Sequence, residues 1–264
     1  MLVRILCAFL LFPLVLISPI CVLSENQAPV SDPKALALAA KALGAQSNGV
    51  AVADVTLTGT ATWTAGSDAQ KGTVTFKARG TAQSRMDLAL SGGNRSEIRT
   101  TSNGLPQGAW IGTDGKLNAY ASHNCWTDAG WFFPVFSSLA SAQTNPSVVL
   151  SYVGAETRNG TSVEHLQANT YSPDFSFTQP WSTVDFYLDT TSLLPVATAF
   201  TTHPDGDAGT NISIEVDFGD YQQVKGVLIP FRIQQLVQGS LALDIAVTGV
   251  DLNSGLPDSD FSIQ

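Results

Sequence analysis

The side chains able to do chemistry are few and scattered. Three histidines stand at His123, His165 and His203, too far apart in sequence to propose a metal site. His123 lies two residues before Cys125, and a thiolate nucleophile needs a base that close. The plainer reading is a small buried thiol beside a polar loop residue. His165 falls in a strand pattern and is expected to pack there. Asp205, Asp207 and Asn211 alternate oxygen ligands as a calcium loop would. Val216 stands where such a loop needs its closing glutamate, and Pro204, Gly206 and Gly209 read as a wide hairpin turn. Glu164, Asp185 and Asp189 could pair for acid–base work, but each sits where a strand turns polar residues to water. The sequence has no G-x-S-x-G elbow, H-E-x-x-H, P-loop, G-x-G-x-x-G or C-x-x-C. No catalytic residue, metal or cofactor is expected, and the chain reads as a binding or carrier module.

One segment stands out from this background. Trp126, Trp131, Phe132, Phe133 and Phe136 fall within eleven residues, followed by Leu139. Pro134 opens a short helix there, with Val135, Phe136, Leu139 and Ala140 as its apolar residues. Two readings are open. The aromatics could plug one end of a curved sheet as ordinary core, or form a mobile lid over an apolar cavity, bending at Gly130.

The elements that must position these residues follow from periodicity. Asp32 as N-cap, Pro33 at the first helical position and Gly44 past the end predict a helix over Asp32–Leu43. Its apolar face is expected to be Leu36, Ala39, Ala40 and Leu43. From Val50 the period becomes two: Val55, Leu57, Gly59, Ala61 and Trp63 alternate with polar residues, as do Val74, Phe76 and Ala78, then Met86, Leu88 and Leu90. The same alternation returns at Val184–Leu188, Ile212–Phe218, Phe231–Ile233 and Leu241–Val247. Polar, glycine-rich turns separate these runs at hairpin spacing. The expectation is a mainly β, α+β fold whose large antiparallel sheet is covered on one side and must curl. Residues 168–182 read as a long loop.

The 264 residues carry a net charge of −9 with no basic run, which argues against nucleic acid and anionic membrane surfaces. Arg4 precedes an apolar run from Ile5 to Ile20, too short and proline-marked to span a membrane. Residues 1–24 are expected to be a signal peptide cleaved after Ser24, with 25–31 a tether and 32–264 one domain. Export would leave Cys125 as the only cysteine of the mature chain. The alternative is a membrane-anchored lipoprotein acylated at Cys21, although Ile20 is bulky for that signal.

Three stretches carry a resemblance. Tyr152–Gly160 followed by His165-Leu166 is similar to a “G-x-E-x-x-x-G” turn between paired strands. Tyr221, Gly226, Pro230 and Ile233 resemble a “Y-x-x-x-x-G-x-x-x-P-x-x-I” hairpin. Val250–Phe261 looks like a last strand with its C-terminal phenylalanine. Together with the signal segment, capped helix and aromatic insertion, they resemble the bacterial lipoprotein-carrier (LolA/LolB-like) superfamily. The resemblance implies an unclosed barrel with helices on its concave side, enclosing a cavity for acyl chains. The implied lining is the aromatic segment with Leu36, Leu43, Trp63 and Phe76. Arg85 lies in a strand where the carriers often keep an arginine. The expected protein is a periplasmic monomer holding an apolar or acyl-chain ligand, lipid or lipoprotein, with another envelope protein as a further partner. The alternative is a structural or interaction module of the envelope. A third class, a hydrolase, would have to use Glu164 or Asp185.

Overall fold

The computed structural model describes residues 29–172 and 178–263. The expected signal segment, Cys21 and residues 25–28 of the tether lie outside the described residues. Helix α1 (Pro33–Ser47) comes first. Strands β1 (Asp54–Ala65), β2 (Asp68–Arg79), β3 (Gln83–Leu90), β4 (Gly93–Ser102), β5 (Leu105–Ile111) and β6 (Leu117–Ala119) form a meander. A crossing segment containing the one-turn helix α2 (Ser138–Ser141) leads to β7 (Val148–Arg158). A second meander follows: β8 (Thr161–Thr170), β9 (Val184–Asp189), β10 (Pro195–Thr202), β11 (Ile212–Val224), β12 (Val227–Val237) and β13 (Ser240–Leu252). Of the loop expected over 168–182, residues 173–177 lie outside the described residues; β8 runs to Thr170 and a 3-10 turn occupies Pro180–Ser182.

All thirteen strands pair antiparallel in one sheet of order β6-β5-β4-β3-β2-β1-β13-β12-β11-β10-β9-β8-β7. Each meander pairs strand to next strand, and the two halves join where β1 meets β13, Val55 opposite Leu252 and Trp63 opposite Leu243. Laid flat, such a sheet would be about 60 Å wide at ~4.8 Å per strand, whereas α1 is about 22 Å long. Yet Leu57, Phe76, Leu88, Leu150, Leu166, Phe186, Val216, Ile233 and Ile245 share one buried cluster with Ala35, Ala39 and Ala42 of α1. One face of the sheet must therefore curl around the helix. Gly59 and Gly72 allow that curvature, because a Cβ on either would lie 2.3 Å from Ala246 O or 1.8 Å from Ala89 O.

Helix α1 starts as expected: the Asp32 carboxylate accepts from Lys34 N at 2.7 Å. It continues through Gly44 and ends at Asn48, whose left-handed backbone closes the last turn onto Gly44 O. The inward face is Ala35, Ala39, Ala42 and Gln46, with Leu36, Leu38 and Leu43 half-buried on its flanks and Ala40 exposed. The face expected from Leu36, Ala39, Ala40 and Leu43 is thus rotated. Alanines seat the helix backbone close to the sheet, and the leucines pack into the angles beside it.

Beyond β13 the chain crosses the outer face. Asp54 holds its start, accepting from Ser254 N at 2.8 Å, Ser254 Oγ at 3.0 Å and Gly255 N at 2.9 Å. Arg79 donates to Leu256 O and pairs with Asp258, and Lys77 pairs with Asp260 at 2.7 Å. Phe261 is buried there beneath the Arg79 guanidinium. Among the described residues no helix is long and apolar enough to cross a membrane.

Candidate ligand cleft

The sheet order dictates where the aromatic segment goes. Strands β6 and β7 are consecutive in sequence but form opposite edges of the sheet. The chain between them has to run from one edge to the other, and it does so across the concave face. Phe132 stacks on Phe76 of β2 at 4.1 Å between ring centroids and 15° between planes, and Trp131 meets both rings edge-on at 5.7 Å. Phe133 and Phe136 pack edge-to-face at 5.2 Å. All four, with Leu139, are buried in the same cluster as α1. Asp128 ties the segment to itself by accepting from the Ser138 hydroxyl and from Ser138 N at 2.9 Å. Burial raises its carboxyl above the usual range, against the opposing pull of those two bonds. Gly130 serves close packing, since a Cβ there would sit 2.9 Å from Phe136 Cβ.

Beside this plug the concave face stays open. A cleft of about 330 Å³ is walled by Trp63, Met86, Leu88, Trp110 and Leu243, with Arg95, Glu97, Tyr120 and Gln235 among the polar lining. Strand pairing sets these neighbours side by side: Leu88 faces Arg95, Met86 faces Glu97, and Glu97 faces Trp110. Trp110 is 38% exposed and Trp63 and Met86 are half-buried, whereas Leu88 and Leu243 are buried. The Arg95 guanidinium lies over the Trp63 ring, 4.2 Å from its centroid. Glu97 pairs with Arg99 at 2.6 Å, and Arg99 donates on to Asn124 O at 3.1 Å. Burial acts against the charge of Arg99, but neighbouring Glu97 outweighs it and holds the guanidinium protonated. Burial pushes the Tyr120 phenol above its ordinary value, so it stays neutral.

The sequence-derived residues divide into groups. Trp63 lines the cleft, and Phe76 lies beneath the plug next to it. Leu36 and Leu43 flank α1. Trp126 is half-buried and lines a second, polar cleft of about 210 Å³ with Arg99, Asp128, Thr101 and Ser141. Arg85 does not join them. Met86, Leu88 and Leu90 face inward, so Arg85 points to the outer face and pairs with Asp87 at 2.8 Å. Met86, Arg95, Trp110 and Leu243 are cleft residues that the sequence reading left out of the site. His123 Nε2 contacts Pro204 O, while the Cys125 thiol is 3.6 Å from Ala121 O and is raised by burial. Asp207 caps its own turn through Gly209 N and Thr210 Oγ1, while Asp205 faces Ala121 N. The three carboxylates considered for acid–base work are engaged separately: Glu164 by Tyr152, Asp185 by His165 and Gln167, Asp189 by the backbone of its turn.

The unclosed antiparallel sheet, curled around a helix and an aromatic crossing segment, is similar in fold to solved structures. A domain described as an outer-membrane lipoprotein-sorting protein of Vibrio parahaemolyticus aligns with a TM-score of 0.56 and 13% identity, covering 86% of this chain and 96% of that one. A DUF1329 family protein from Desulfovibrio piger aligns at 0.54 and 11%, covering 87% and 96%. A LolA superfamily protein from Nitrosomonas europaea aligns at 0.49 and 11%, covering 87% and 97%. At such identities the likeness is one of fold. No family model and no curated protein matches the chain in sequence.

Proposed function

We propose that this protein is an exported, non-enzymatic carrier that binds an apolar or acylated ligand on its concave face. The observation that carries the reading is the open cleft in which exposed Trp110 and half-buried Trp63 and Met86 stand beside the buried Leu88 and Leu243. Its volume falls near the lower end of ligand pockets, which run from about 300 to 1,000 Å³. The fold it shares with a lipoprotein-sorting domain supports an envelope role, and residues 1–24 support export. The carboxylate lining the cleft, Glu97, is paired with Arg99, which favours binding over catalysis. A second reading, an interaction module whose interior is filled by its own side chains, draws support from the burial of Trp131, Phe132, Phe133 and Phe136. A fluorescent fatty acid separates the two. The intact protein is expected to bind it, and Trp110→Ser to weaken binding on the order of ten-fold while keeping the fold. No binding by the intact protein would overturn the carrier reading in favour of the second.

A further inference from the structure

The described residues include six arginines, and five of them are paired with a carboxylate: Arg79 with Asp258, Arg85 with Asp87, Arg99 with Glu97, Arg158 with Glu215 and Arg232 with Asp244. Arg95 is the exception. It has no ion pair, and its Nε is buried without a hydrogen-bond acceptor. Its guanidinium lies instead over the face of Trp63, in the wall of the cleft. In a chain with 22 acidic and 13 basic residues, finding a carboxylate for an arginine is easy. Leaving one without an anion on a partly desolvated wall carries a cost.

We infer that the cleft takes a single-chain amphiphile with an anionic head, whose carboxylate or phosphate is bound by Arg95 while its acyl chain lies along Met86, Leu88, Trp110 and Leu243. This rests on the carrier reading and narrows it. A guanidinium held over an indole keeps a fork of donors suited to two oxygens of one anion. The nearest acid on the same strand face, Glu97, is already neutralised by Arg99, so the inward charges of β4 sum to one positive. A volume of about 330 Å³ limits the occupant to one chain. An acylated protein amino terminus offers an uncharged amide and would leave Arg95 unmatched, so the site favours a free lipid over a lipoprotein cargo.

The test uses three probes of one chain length: dodecanoate, dodecyl phosphate and dodecanol, titrated calorimetrically into the full chain and into Arg95→Gln and Arg95→Lys. The expected result is that the two anions bind about ten-fold or more tighter than the alcohol, by charge-assisted hydrogen bonds. Added salt should weaken only the anions. Arg95→Gln should bring them down to the alcohol's level without changing the alcohol, and Arg95→Lys should keep part of the preference. Dodecanoate outranking dodecyl phosphate points to fatty acids, and the reverse order to phospholipid-derived anions. Equal binding of all three, unchanged in Arg95→Gln, overturns the inference while leaving the carrier reading standing. Failure of all three to bind overturns both.

Discussion

Replacing Phe132 with alanine tests whether the crossing segment is core or lid. Phe132 is 1% exposed, stacked on the fully buried Phe76 and closed on its edge by Trp131. Removing a fully buried phenylalanine side chain costs about 3–5 kcal/mol, because the lost transfer energy is joined by a cavity that close-packed neighbours cannot fill. For a chain of this size each kcal/mol lowers Tm by about 2–4 °C. The expected fall is therefore roughly 6–20 °C, read by circular dichroism, with a matching drop in urea midpoint at unchanged slope. Trp110→Ala is the internal control. Its ring is 38% exposed in the open cleft, so the change should cost little stability, about 1 kcal/mol or less. If Phe132→Ala lowers Tm no more than Trp110→Ala does, the segment is a detachable lid and the packing argument fails.

Two further outcomes concern carboxylates on β11 and β1. Asp217 is pushed up to about 6 by burial and by neighbouring Glu215. Between its usual 3.8 and that value the folded chain binds the extra proton, so stability falls as pH rises through this window. Asp217→Asn should raise Tm at neutral pH and lose that advantage below 3.8; an equal gain at both pH values would refute it. Asp54 is held below 3.8: burial opposes this, but the donors of Ser254 and Gly255 prevail. Its stabilisation is present above 3.8 and lost as pH falls through the lowered folded value. Asp54→Ala should cost about 2 kcal/mol at neutral pH, and the gap in urea midpoint should narrow in acid; a constant gap would assign the loss to packing.

Much of the architecture is legible in local pattern. The Asp32-Pro33 start of α1 and the alternation of β1 to β3 need nothing beyond nearest neighbours. The end of α1 is not legible that way, because Gly44 is tolerated inside a helix that stops on the left-handed Asn48. Strand order is not local either, since nothing near Val55 announces a partner at Leu252. The cleft shows a subtler failure. In β4 the lone apolar residue is Ile98, and alternation around it would send Arg95, Glu97 and Arg99 to solvent. Ile98 is instead buried on the outer face, opposite Arg85 and Ala109, where the C-terminal segment packs against β3 and β4. A polar run thereby faces the concavity. For Arg85 the signal was present, because Met86 and Leu88 inside require Arg85 outside.

The junction of β1 with β13 has a consequence for how the chain reaches this state. The first strand waits for the last, with nearly the whole described sequence between Val55 and Leu252. Until β13 is synthesised, β1 has β2 on one side and a bare edge on the other, and the edge of β12 is bare as well. Such edges template pairing with other chains, and loops this long close slowly. A nascent or truncated chain ending before Ser240 would hold two half-sheets, each a meander with an unsealed border. The final hairpin is thus the zip that joins the halves, since β13 alone pairs with both β12 and β1.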